Sequence, residues 1–298
     1  MNVAVVGAGV SGLTCAVMFA ERGGRVSIFA DEVGQQTTSA AAGAIWFPYD
    51  CEPRDKVVAW ALMTRDVLVD LARQPKTGVS ILALRQFCRA GKIDMPDWAQ
   101  SLGAISRGDA FTIEVPLTDT TIYLDYLRQR FGGEIKRVHL HRLEDVDLAF
   151  DLVINCAGFG AKRLTDDVDL EPHRGQVAIV SKIDNVTGAI VCDDDPLMYV
   201  IPRAHDCLFG GTNELSEDRR VDLATSQRIV AECSRALKID PPRVMDERVG
   251  IRPFRKSGVR LERGKLNDGR AVIHNYGHGG SGFTLSWGCA KEVVDLAT

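Results

Sequence analysis

The chain has 298 residues, 45% of them hydrophobic, and a formal net charge of -4, so it can bury a sizeable core as one large or two medium domains. Acidic and basic residues are interspersed, leaving no basic face for nucleic acid and no polybasic segment for anionic lipid. The N-terminal apolar run is too short to span a bilayer and no positively charged leader precedes it, so a cytosolic enzyme is expected.

Residues 3–9 read VAVVGAG and run through Val10, Ser11 and Gly12 into LTCAVMFAERG, a short apolar strand followed by a helical pattern that stops at glycine. This is the dinucleotide fingerprint of a βαβ unit in its required setting. Gly7 allows the tight turn, Gly9 lets backbone approach a pyrophosphate, and Gly12 lets helix and strand pack closely. Gly7, Ala8, Gly9, Val10, Ser11 and Gly12 are therefore expected at a cofactor, beside amides of the helix N-terminus. The second strand, RVSIFAD, ends in Asp31, about 20 residues beyond the glycines. An acid there suits the ribose hydroxyls and repels a 2′-phosphate, so the ligand is FAD or NAD rather than NADP.

Further along, RDKVVAWALMTRDVLVDLARQ and TIYLDYLRQRFGG carry apolar residues at helical spacing. In KRVHLHRLEDV, a strand-like segment, His139 and His141 share a face, which reads as solvent-facing rather than as a metal site. No other cluster has ligand spacing, so no metal is expected. The strand DLVINCAGFG returns the chain to the parallel sheet, with Gly158 in its turn as a further cofactor contact. Next, GQVAIVSK, GAIVCDD, LMYVIPRA and DCLFGGTNE are short β-rich runs suggesting an antiparallel sheet, followed by the helix DLATSQRIVAECSRALKI. The chain closes with VIHNYGHGGSGFTLSWGCA, where four glycines and two histidines lie between a strand-like and a helix-like run. Eight cysteines are scattered without any CxxC and read as reduced, buried small residues.

Five segments taken together resemble the D-amino acid oxidase family over most of the chain: VAVVGAGVSGL, TTSAAAGAIWFPY, VINCAG with EPHRGQ, ERVGIRPFR with VRLE, and IHNYGHGGSGFTLSWGCA. The resemblance implies an α/β fold: a Rossmann-like FAD-binding domain with a parallel sheet, plus an inserted, mainly antiparallel α+β substrate domain. We expect the first at 1–75, 121–173 and 257–298, and the second at 76–120 and 174–256. It implies non-covalent FAD held by Thr37, Thr38, Gly43, Ala44, Gly279, Gly280, Ser281, Gly282, Phe283 and Thr284. It also implies a catalytic set in which Arg252 and Tyr199 bind the substrate carboxylate, Gly280 turns its carbonyl to the amine, and the α-hydrogen leaves as hydride to flavin N5. Oxygen then reoxidises the flavin to give hydrogen peroxide, and the imino acid hydrolyses to 2-oxo acid and ammonia.

Tyr49 is a pocket wall in this reading, and Phe47 stands where some relatives have a polar residue. Phe159 lines the VINCAG turn. Animal relatives carry a longer lid with a further tyrosine before the strand of Tyr199. Here only DDDPLM fills that place, a short acidic connection read as a solvated turn rather than a specificity device, the alternative being that its carboxylates, near the mouth, favour cationic side chains. Arg203 and His205 follow Tyr199 and are candidates to bind a second carboxylate, which would shift preference toward D-aspartate or D-glutamate. Glycine or sarcosine oxidation is the nearest alternative, and a non-enzymatic flavin sensor a more distant one. The expected partners are a small D-amino acid and O2, with a homodimer left open. The C-terminal EVVDLAT lacks a peroxisomal tripeptide, in keeping with a bacterial-type cytosolic enzyme.

Overall fold

A computed structural model of the chain describes residues 1–49, 51–91 and 93–298. The chain opens with β1 (Asn2–Val6), α1 (Val10–Ala20) and β2 (Arg25–Ala30). Nearly every residue of α1 is buried, as expected of a helix that is apolar all round. Next come α2 (Arg54–Ala72), β3 (Val79–Phe87), α3 (Asp97–Ser101), β4 (Ile105–Arg107), β5 (Ala110–Thr118) and α4 (Thr120–Phe131). Asp119 caps α4, accepting the Thr121 amide, and Gly132 closes it in the left-handed conformation.

The chain returns to the first sheet through β6 (Glu134–Arg137) and β7 (Leu152–Asn155), then passes a short α5 (Ala161–Leu164). It continues through β8 (Leu170–Ser181), β9 (Ala189–Cys192), β10 (Met198–Pro202), β11 (Asp206–Gly210), β12 (Glu214–Leu215), α6 (Leu223–Leu237) and β13 (Val244–Arg255). It ends with β14 (Arg260–Lys265), β15 (Ala271–Tyr276) and α7 (Gly282–Ala297).

One sheet has six strands in the order β14-β15-β7-β1-β2-β6. Its pairings are parallel except at β14, an antiparallel edge on β15. The other sheet has nine strands in the order β12-β8-β11-β10-β9-β3-β5-β4, with β13 on β8. It is antiparallel apart from the parallel β3–β9 pair.

Side-chain alternation divides the second sheet's faces. Ala178, Val180, Cys192, Met198, Val200, Cys207 and Phe209 pack on Ile229, Val230 and Cys233 of α6. The opposite face, with Val177, Val191, Tyr199 and Ile201, joins the main core and walls a cavity.

The segment around His139 departs from expectation. The strand ends at Arg137, because β6 pairs with β2 only as far as Ala30. His139 and His141 follow in irregular backbone, and His139 is engaged rather than idle, its Nδ1 2.8 Å from the Asp31 carboxylate. No described group of three or more His, Cys, Asp or Glu has metal-site geometry. Six of the eight free cysteines are buried, with Cys51 and Cys88 partly so.

Candidate active site

A cavity of about 790 Å³ runs from the ends of β1 and β2 to the inner face of the nine-stranded sheet. At its nucleotide end Gly7 has φ +108°, and a Cβ there would stand 2.8 Å from the Cys156 carbonyl carbon. Only glycine permits that turn so close to β7. Ser39 Oγ accepts the Val10 amide at 3.0 Å, tying the 38–41 helical turn to the N-terminus of α1. Asp31 stands on the wall, and the His139 ring that it holds also lies 3.0 Å from Arg163 Nη2 through Nε2. Lys162, Arg163 and an ion pair between Glu32 and Arg219 complete this end.

Phe47 and Tyr49 are fixed by two hydroxyls of the glycine loop and α7. Thr284 Oγ1 accepts the Phe47 amide and donates to the Phe47 carbonyl, both at 3.1 Å. Ser281 Oγ does the same for Tyr49, at 3.0 and 2.5 Å. A Cβ on Gly280 would lie 3.1 Å from Tyr49 Cδ1 and 3.7 Å from Arg252 Cδ, so the loop, Tyr49 and Arg252 meet at one point.

The Tyr199 ring rests on bare backbone, since a Cβ at Gly210 would fall 2.6 Å from its hydroxyl oxygen. The Arg252 guanidinium lies across Gly175 in the same manner, with Cζ 2.5 Å from where a Cβ would be. Arg252 Nη1 donates to the Thr212 carbonyl at 2.8 Å, and the charge of the guanidinium acts on the Tyr199 hydroxyl. Burial raises the Tyr199 pKa above the usual phenol value, with Arg252 opposing, so the hydroxyl stays protonated at neutral pH. His278, on the cavity wall with Nε2 3.0 Å from Asn275 Oδ1, has its pKa pushed down to about 4 by burial and is neutral.

Of the residues expected at the cofactor, Gly7, Ala8, Gly9, Val10, Ser11, Asp31, Thr37, Thr38, Gly43, Ala44, Gly158, Gly279, Gly280, Gly282, Phe283 and Thr284 stand on this one wall. Gly12 does not. A Cβ there would meet the Gly7 carbonyl carbon at 2.9 Å, so its part is packing. Ser281 does not either, because its hydroxyl is spent on Tyr49. Tyr199, Arg252, Gly280 and Tyr49 converge at the other end, with Phe47 and Phe159 also lining the cavity.

Two further expectations are corrected. Arg203 is buried and holds Asp206 through Nε and Nη2 at 2.6 and 2.8 Å, so neither it nor the exposed His205 lines the cavity. The acidic connection is not simply solvated. Asp194 accepts the Arg89 amide and Arg89 donates to the carbonyls of Asp194 and Pro196, while Asp193 faces the cavity. Ser39, His139, Arg163 and Gly175 carried no sequence signal of their own, since each acts through a partner distant in the chain.

The glycine turn at α1, the acid ending β2 and the long cavity fit an adenine dinucleotide, and the Arg252–Tyr199 pair at the far end fits a carboxylate. The fold and site thus define a nucleotide-dependent enzyme acting on a small carboxylate. The chain belongs to the FAD dependent oxidoreductase family (DAO), which matches residues 2–114 and 122–296. It is 40% identical to the D-amino-acid oxidase of Streptomyces coelicolor, covering 100% of this chain and 97% of the relative. It is 36% identical to that of Rubrobacter xylanophilus, covering 98% and 94%. Among solved structures it is similar to glycine oxidase from Geobacillus kaustophilus, with a TM-score of 0.78, 19% identity, and coverage of 99% of this chain and 93% of the other.

Proposed function

We propose that the protein is a FAD-dependent D-amino-acid oxidase, converting a D-amino acid, O2 and water to a 2-oxo acid, ammonia and hydrogen peroxide. The observation that carries this is the Arg252 guanidinium, whose charge acts on the Tyr199 hydroxyl and which meets Gly280 and Tyr49 at the inner end of the cavity. Near-full-length identity to two D-amino-acid oxidases supports the substrate class.

When bound, FAD supplies the hydride acceptor and returns the electrons to oxygen. Asp31 would hold its adenosine, the Gly7–Ser11 turn with the 37–44 segment its phosphates, and Gly279, Gly280, Gly282, Phe283 and Thr284 its ring. The protein residues orient the substrate. Arg252 and the protonated Tyr199 hydroxyl hold the carboxylate, the Gly280 carbonyl accepts from the amine, and Tyr49, Phe47 and Ile201 shield the reacting carbon from water. Positioning of this kind is the main protein contribution when the cofactor carries the chemistry.

In the same reading, residues 1–75, 121–173 and 257–298 form the FAD-binding domain and 76–120 and 174–256 the substrate domain. The strands of the six-stranded sheet all fall in the first set, and those of the nine-stranded sheet in the second, save the first residues of β8. A cytoplasmic location is supported by eight thiols, none in a disulfide. No described helix is long and apolar enough to cross a membrane.

Anaerobic mixing of the flavin-loaded protein with D-alanine, D-methionine, D-arginine and D-aspartate, against their L-forms, glycine and sarcosine, tests the reading. Bleaching of the flavin by D-forms alone is expected. Bleaching by glycine or sarcosine alone transfers the protein to the amine oxidases.

A further inference from the structure

The ends of β2 and β6 meet α5 at the nucleotide end of the cavity. β2 stops at Ala30 with Asp31 next, and the Val138 amide donates to the Ala30 carbonyl at 2.9 Å. That bond carries the line of β6 one residue past Arg137 and sets His139 beside Asp31. α5, which follows the turn after β7, brings Arg163 to the same corner. His139 Nδ1 is 2.8 Å from Asp31 Oδ2, and His139 Nε2 is 3.0 Å from Arg163 Nη2. A guanidinium has donors and no acceptor, so Arg163 donates and Nε2 accepts. A ring nitrogen that accepts carries no proton, so the imidazole proton sits on Nδ1 and is given to Asp31. Arg163 thereby selects the tautomer that turns a donor onto the carboxylate. All three residues line the cavity.

We propose that His139, keyed by Arg163, is a positioning residue for the Asp31 carboxylate and, through it, for the adenosine of FAD. The proposal rests on the reading of Asp31 as the ribose ligand. With side chains 66% and 42% exposed, Asp31 and His139 add little to the stability of the fold by pairing. Their contribution falls on binding instead. An exposed aspartate samples several rotamers, and ordering it as a ligand arrives costs affinity. A carboxylate with one oxygen already tied to His139 is ordered beforehand. That bond takes one of about four acceptor sites on the carboxylate, which leaves room for the two hydroxyls of a ribose. A bound adenosine also covers the corner, and the His139–Asp31 bond strengthens as water leaves.

The test is the dissociation constant of FAD, read from the fluorescence of flavin released on dilution of the full-length holoenzyme. It is measured for wild type, His139→Leu, His139→Asn and Arg163→Ala, with FMN in the same proteins as the control because FMN has no adenosine. His139→Leu weakens FAD about fivefold, the scale of one hydrogen bond, and leaves FMN unchanged. His139→Asn restores most of the affinity, since its amide nitrogen donates without depending on a tautomer. Arg163→Ala weakens FAD beside His139 but not in the His139→Asn protein, which has no second ring nitrogen to key. FAD held by His139→Leu as tightly as by wild type, or more tightly, overturns the proposal. So does an equal loss of FAD and FMN, which marks general damage to the site, and an equal effect of Arg163→Ala in both backgrounds overturns the keying. Asp31→Asn separates the two readings. If it weakens FAD while His139→Leu does not, Asp31 remains the ribose ligand and only the proposal falls; if it leaves FAD unmoved, the ribose reading falls and the proposal with it.

Discussion

Gly175→Ala isolates what holds the guanidinium proposed to bind the substrate carboxylate. A methyl at Gly175 would stand 2.5 Å from Arg252 Cζ, against an ordinary separation of about 3.5 Å, so the guanidinium must retreat by about 1 Å. The obstructing atoms end a flexible side chain, and the backbone at Gly175 has no positive φ. The variant is therefore expected to fold, bind FAD and lose less than about 1 kcal/mol of stability, as surface-like adjustments do. The retreat stretches the 2.8 Å bond from Nη1 to the Thr212 carbonyl and spoils a charge-assisted contact to substrate that is typically worth about 1.5–3 kcal/mol. That corresponds to a loss of about ten- to a hundredfold in kcat/KM, consistent with a misplacement of about 1 Å at a reacting complex. Steady-state kinetics on a good D-substrate, beside the flavin spectrum and a melting curve, reads it. KM should rise more than kcat falls, because the carboxylate contact is made in ground and transition states alike. A Gly175→Ala enzyme with wild-type kcat/KM refutes the placement of Arg252 as the carboxylate ligand.

Two other perturbations bear on the same cavity. Tyr199→Phe removes the hydroxyl paired with Arg252 and should lower kcat/KM about tenfold, the usual scale of one hydrogen bond to a charged partner. Because burial raises the Tyr199 pKa, wild type and variant should share the same pH profile through neutrality, and a limb present only in wild type near pH 8 counts against a protonated hydroxyl. Acid stability is set in part by His274 and His278, each pushed down to about 4 by burial, with Arg260 adding to the effect at His274. The unfolded chain binds these protons near pH 6.5 and the folded one only near 4, so stability is present above about 6.5 and is lost as pH falls from there toward 4. Each histidine contributes at most about 3 kcal/mol to that loss. Melting curves from pH 7.5 to 4.5 should show the decline, and His278→Asn should flatten it; an equal slope in the variant argues against a neutral buried ring.

The parts legible in the sequence were those whose signal is local. The strand, glycine turn and helix at residues 3–20 follow from hydrophobic pattern and the needs of a tight turn, and α2, α4 and α6 from helical spacing. The motif around Arg252 marked a guanidinium, but not what it lies on. Gly175 meets it because β8 pairs with β13, with Gly175 opposite Gly250 and His173 opposite Arg252, and register between strands about 75 residues apart leaves no local trace. Gly12 and Ser281 stand off the cavity wall for the converse reason. A small residue in a cofactor motif can serve the turn's own packing, and here one admits the Gly7 carbonyl and the other fastens Tyr49. His139 is exposed, as its segment suggests, but its partners Asp31 and Arg163 come from the end of β2 and from α5, which no local pattern reveals.

The same pairing geometry separates stability from specificity in this site. Along β10, Met198 and Val200 serve the packing on α6 while Leu197, Tyr199 and Ile201 face the cavity. Cys192 and Val191 divide in the same way on β9. A substitution at a cavity-facing position thus alters the side-chain channel without removing a contact from the α6 core, whereas its neighbour one residue away would open a void there. Continuing the register of β9 with β10, Leu197 falls opposite Asp193 and lines the cavity two residues from Tyr199, and Leu197→Ala widens the channel ahead of the carboxylate. It should relax selection among long neutral side chains. The D-norleucine to D-leucine ratio of kcat/KM in wild type and Leu197→Ala reads this, and a ratio unchanged by the substitution would show that Leu197 does not wall the side-chain channel.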